Sequence, residues 1–151
     1  MHRFTAVAAA CLTTAVAALG LATAGPAQAA GSVHLSEIYY NSPGSDTGSN
    51  ASLNAEWVKI TNSTTRSADL TGWTLTDASR HTYRFGSYRL GAGKSVYVHT
   101  GRGGNTALNR YQGRSWYVWN NDKDTATLRR STGTRVDVCA YSNSHRSYVY
   151  C

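Results

Sequence analysis

Glu56-Trp57-Val58-Lys59-Ile60-Thr61 decides the fold class of this chain. Val58 and Ile60 fall on one parity, Trp57 and Lys59 on the other. Alternation with a period of two is what a half-buried strand needs, because successive side chains point to opposite faces. Upstream, residues 33–40 form a first strand whose apolar phase slips between Leu35 and Ile38, which predicts a bulge near Ser36-Glu37. Downstream, Trp73 and Leu75 alternate with Thr74 and Thr76, and Tyr83 and Phe85 with Thr82 and Arg84. Val96 and Val98 alternate with Ser95, Tyr97 and His99, and Trp116 and Val118 with Tyr117 and Trp119. Ala126 and Leu128 alternate with Thr125 and Thr127, and Val136, Val138 and Ala140 close the last strand.

Between these runs lie turn residues. Segment 41–54 is rich in Ser, Gly, Asn and Asp, segments 101–113 and 120–124 are polar loops, and Gly133 marks a hairpin. About eight short strands so spaced predict an all-β fold, a sandwich or, as the alternative, a small β-barrel. Polar residues on one parity of each strand fit the sandwich. On parity alone, Cys139 lies opposite Val136, Val138 and Ala140 and is expected to point away from the core.

The first thirty residues differ in character. Met1-His2-Arg3 is basic, residues 4–24 carry no charge, and Ala27-Gln28-Ala29 follows Pro26. A basic start, an apolar run and a small-x-small site predict a signal peptide over residues 1–29. One domain over residues 30–151 would remain, secreted, with no membrane span after cleavage. Without Arg3, the 15 Lys and Arg become fourteen against eight Asp and Glu, so the exported part is strongly basic. Such a domain is drawn to polyanions, although net charge also serves plain solubility. Cys139 and Cys151 are the cysteines left after cleavage, and an even pair in an oxidising compartment predicts a disulfide, one that would pin the C-terminal tail across the outside of the sheet.

Several segments, in order, resemble the lamin tail domain family in its bacterial secreted form. They are Pro43-Gly44-Ser45-Asp46, Asn54-Ala55-Glu56-Trp57-Val58-Lys59-Ile60-Thr61-Asn62, Leu70-Thr71-Gly72-Trp73-Thr74-Leu75-Thr76-Asp77, His99-Thr100-Gly101, Trp119-Asn120-Asn121-Asp122 and Asp124-Thr125-Ala126-Thr127-Leu128. The resemblance spans roughly residues 33–141. It implies an immunoglobulin-like β-sandwich and an accessory adhesion or binding role outside the cell. It implies no shared catalytic motif and, since no coiled-coil rod is present, no filament assembly.

The residues themselves offer little for catalysis. His34, His81, His99 and His145 are scattered, and no Gly-x-Ser-x-Gly nucleophile elbow occurs. No cofactor is expected, nor a metal, with Asp122 and Asp124 in the Asn120–Asp124 turn as weak calcium candidates and Asp46, Asn50 and Asn54 weaker still. The sharper expectation is a basic, aromatic face. Arg80, Arg84 and Arg89 lie near one strand, Arg102, Arg110 and Arg114 in or beside the second loop, and Arg129, Arg130 and Arg135 around a hairpin. Tyr88, Tyr97, Tyr111 and Tyr117 are interleaved with them. Arginine pairs with phosphate and tyrosine stacks on bases or sugars, so such a face would bind nucleic acid or anionic cell-wall polymer. Trp73 is expected in the core, and Trp57 and Trp119 on outer faces, where they would suit a carbohydrate platform. The expected protein is a non-catalytic extracellular module that binds an unidentified polymer, surface or protein. Polyanion binding is the alternative, and a hydrolase the least favoured.

Overall fold

A computed structural model describes residues 31–151; the expected signal peptide lies outside the described residues. The chain forms β1 (Val33–Tyr39), α1 (Asn50–Asn54), β2 (Trp57–Asn62), β3 (Ala68–Asp69), β4 (Thr74–Thr76), β5 (Thr82–Arg84) and β6 (Arg89–Leu90). It continues through β7 (Ser95–His99), β8 (Asn109–Tyr111), β9 (Lys123–Arg129), β10 (Arg135–Ser142) and β11 (Tyr148–Tyr150). One sheet has the order β11-β1-β2-β7-β8, a second β10-β9-β4-β5, and β3 pairs with β6 in a small ribbon. Among the described residues every pairing is antiparallel except β7 with β8. Neither main sheet closes on itself, so the fold is an immunoglobulin-like sandwich and not a barrel.

Alternation builds the core. Leu35 and Ile38 on β1, Val58 and Ile60 on β2, and Val96 and Val98 on β7 fill one inner face. Trp73, Leu75, Phe85, Ala126 and Leu128 fill the other. The β1–β2 register shifts between Leu35 and Glu37, the bulge that the slipped phase predicts. It lets both Leu35 and Ile38 face inward although they are three residues apart. Tyr40 and Tyr141 stack at 3.9 Å inside the same core. No helix among the described residues is long and apolar enough to cross a membrane.

Three expectations are corrected. Cys139 faces the core, 6% exposed, whereas Val138 is 40% exposed. The β10–β9 register shifts between Arg135 and Asp137, and this irregularity resets the phase of the strand. Cys139 then sits opposite Ala126, and Tyr141 opposite Asp124, all buried. The Cys139–Cys151 disulfide therefore ties the edge strand of one sheet to the end of β11 in the other. It does not lie across the outside of a single sheet.

The second correction concerns residues 116–119, which form no strand; Val118 and Trp119 are both buried while Trp116 is 63% exposed. Trp119 thus belongs to the core and not to an outer face. The third is local: segment 41–54 ends in a short helix, α1, capped by Ser49, whose hydroxyl accepts from the Ser52 amide.

Candidate functional site

A buried carboxylate fixes one end of the sandwich. Glu56, just before β2, is fully buried and accepts from the amides of Val118 (3.2 Å) and Trp119 (2.6 Å). Its carbonyl accepts from the Thr100 amide at 3.1 Å. One side chain thereby gives the strandless 116–119 segment the backbone partners that a sheet would have supplied. Burial pushes the Glu56 carboxyl up to about 7, against the pull of those two amides.

The two outer faces of the sandwich are chemically unlike. On the five-stranded sheet, register places Tyr148, Tyr39, Trp57, His99 and Tyr111 side by side, one residue from each strand. A second row holds Tyr150, Glu37, Lys59, Tyr97 and Asn109. Three neighbouring pairs in the first row stand nearly parallel. Tyr39 and Tyr148 are 6.1 Å apart, Tyr39 and Trp57 5.5 Å, and His99 and Tyr111 5.1 Å. Tyr97 meets Trp57 edge-on at 5.0 Å. The His99 ring nitrogens meet the Asn54 carbonyl (2.7 Å) and the Asn109 side-chain amide (2.9 Å), which holds the ring still. Beyond the second row, Ser36, Thr61 and Ser95 link their hydroxyls at 2.7 and 2.9 Å. Tyr150 is 72% exposed, and the rest of the aromatic set is half-buried. Among the described residues the tyrosine hydroxyls that hydrogen-bond inside the protein are those of Tyr40, Tyr88 and Tyr141, which donate to backbone carbonyls, and that of Tyr117, which accepts from the Gly48 amide, none of them on this face.

The outer face of the four-stranded sheet carries Arg84, Thr74, Arg129 and Arg135 in one row, and Thr82, Thr76, Thr127 and Val138 in the next. Among the described residues the one side-chain ion pair within 4.0 Å is His81–Asp77. The three arginines of this row are therefore free of carboxylate partners at that distance.

The nine arginines and several tyrosines that proximity along the chain assigns to one face are separated by the fold. Arg110 stands beside inward-facing Val98 and lays its guanidinium over Tyr88 at 4.0 Å. Arg114 donates to the Thr82 carbonyl (3.0 Å), and Arg130 covers Trp73 at 5.3 Å. Arg80 sits in the β4–β5 turn at φ 72°, and Arg89 lies on the β3–β6 ribbon opposite Asp69. Arg102 anchors a loop by its backbone, its amide donating to Asn50 and its carbonyl accepting from Asn50 and Asn54. Arg84, Arg129 and Arg135 alone share a sheet face. Conversely, the aromatic row was not anticipated as a unit. Its members are far apart in the chain and meet only through strand order, although the outward parity of Trp57 pointed to it.

The calcium candidates are engaged in backbone geometry. Asp124, 4% exposed, accepts from the amides of Ala78, Asn120 and Thr125 and from the Asn120 side chain. Asp122 accepts from the Lys123 amide, and Asp46 from the Asn121 side chain. The His81–Asp77 pair closes a turn: Asp77 takes both the ring nitrogen and the amide of His81 at 2.6 Å.

A family model described as Lamin Tail Domain matches residues 26–143. No curated protein matches the chain.

Proposed function

Because the chain belongs to the lamin tail domain family, a family of non-enzymatic immunoglobulin-like domains, we propose that it is a secreted, non-catalytic module that binds a polymer or surface outside the cell. The observation that carries this is the aromatic row across all five strands of one sheet. Tyrosine and tryptophan on a solvent face supply large, rigid contact area at low entropic cost, and contiguous apolar surface of this kind marks interaction sites. Co-sedimentation of the exported protein with the wall fraction of its own culture tests the reading. The native protein is expected in the pellet and Trp57→Ala in the supernatant; equal sedimentation of both would overturn it. Secretion is tested by N-terminal sequencing of the protein from the medium, which is expected to begin at Ala30.

A second reading rests on a different observation. Arg84, Arg129 and Arg135, free of carboxylate partners and with threonine hydroxyls beside them, suit sequence-independent contact with an anionic polymer. Weak retention of duplex DNA or anionic wall polymer is expected. The slope of log affinity against log salt should fall by about 0.9 for each arginine removed. Retention indifferent to salt would contradict it.

A further inference from the structure

Resting on the reading of the aromatic face as the working surface, we propose that its ligand is a neutral polysaccharide chain. The chain lies along the row from β11 to β8 and crosses the strands.

Shape, charge and hydrogen bonding each bear on that choice. The row is long and narrow: four steps between five strands span about 19 Å at the usual inter-strand spacing. A linear chain can lie along such a row, where a compact small molecule would be left mostly in water. The face also carries no net charge of fixed sign. Glu37 and Lys59 stand directly opposite each other in register, and none of the nine arginines flagged from the sequence belongs to either aromatic row. Within the two rows a phosphate-bearing chain would find one cation, Lys59, whereas Arg84, Arg129 and Arg135, free of carboxylate partners, lie on the other side of the molecule. Charge thus sorts anionic chains away from this face and leaves it to neutral ones.

The chemistry of the rows matches the amphipathic character of a sugar ring. Pyranose C–H faces are apolar and find the rings of Tyr39, Trp57, Tyr97 and Tyr111. Sugar hydroxyls find the tyrosine hydroxyls left free at the ring tips, the Asn109 amide and the Ser36–Thr61–Ser95 hydroxyl line. A purely apolar partner would leave the tyrosine hydroxyls unpaired on docking, at a cost for each.

Calorimetric titration of the exported protein with cello-, chito- and malto-oligosaccharides of increasing length tests this. At least one series is expected to bind, with affinity rising with chain length until the row is spanned and then levelling, and with little change between low and high salt. Trp57→Ala is expected to weaken binding at least tenfold. Tyr111→Ala and Tyr148→Ala, at the two ends of the row, should shorten the length at which affinity levels. Trp116→Ala, at an exposed tryptophan outside both aromatic rows, should change nothing. No binding by any series, or binding that survives Trp57→Ala or collapses with salt, overturns the proposal. If Trp57→Ala abolishes wall co-sedimentation while no oligosaccharide binds, the glycan assignment fails and the broader reading stands. If co-sedimentation is indifferent to Trp57, both fail.

Discussion

The outer face of the five-stranded sheet and that of the four-stranded sheet enclose one core yet share almost no chemistry. The first presents Tyr39, Trp57, Tyr97, His99, Tyr111, Tyr148 and Tyr150 with charges that cancel. The second presents Arg84, Arg129 and Arg135 among threonines. Both are ordinary outcomes of period-two alternation, in which inner positions must be apolar and outer positions are free to differ. A sandwich therefore offers two independent surfaces on one stability-determining interior, and a change can be aimed at either face or at what they share.

The largest effect is expected where nothing distinguishes the faces. Glu56→Ala leaves the buried Val118 and Trp119 amides without their acceptor. At a cost of about 1–3 kcal/mol for each orphaned donor, the domain should lose about 2–6 kcal/mol by denaturant melts, and both binding activities should fall together with it. A variant that kept its stability but lost one activity would break the comparison.

Glu56 also sets a pH dependence common to both faces. With its carboxyl raised from 4.5 to about 7, the folded state holds a proton that the unfolded chain has already released across that window. Unfolding free energy should therefore fall as pH rises from 4.5 to 7, by up to about 3 kcal/mol. Glu56→Gln should flatten that part of the stability–pH curve, and a slope that persists in the variant would assign it to another group.

The disulfide should begin to separate the faces. Replacing Cys139 and Cys151 by serine removes a link across twelve residues, worth about 3 kcal/mol in chain entropy, measured as a lowered Tm. It frees β11 and with it Tyr148 and Tyr150, so capture by the aromatic face should drop more than retention of polyanions. The smallest stability effects belong to the faces themselves. Arg84→Ala, Arg129→Ala and Arg135→Ala together should move stability by under about 1 kcal/mol while abolishing salt-dependent retention and sparing the aromatic face.

What was legible in the sequence follows the same division. The inward parities of Val58, Ile60, Trp73, Leu75, Val96, Val98, Ala126 and Leu128 are all realised, because burial on one side enforces strict alternation. The bulge in β1 was legible because two large apolar residues, Leu35 and Ile38, had to share one face. The register irregularity in β10 was not. Arg135, Val136 and Asp137 give no such signal, and Val138 in solvent looks like a core residue on paper. Residues 116–119 alternate like a strand, but the Glu56 carboxylate binds their backbone, which chain proximity cannot reveal.

The candidate surfaces were the least legible part. Tyr39, Trp57, His99, Tyr111 and Tyr148 become neighbours only through the sheet order β11-β1-β2-β7-β8, with its parallel β7–β8 pair and its returning tail. Grouping arginines by closeness along the chain failed for the converse reason, since Arg110 and Arg130 cover Tyr88 and Trp73 instead of joining a common face.

The most direct test of the division is side-chain footprinting of the exported protein, free and bound to its wall fraction. Protection is predicted at Tyr39, Trp57, Tyr97 and Tyr148, with Thr76, Thr127 and Arg129 labelled as in the free protein. Protection of Thr76, Thr127 and Arg129 with Trp57 still labelled would place the working surface on the opposite sheet and contradict the account.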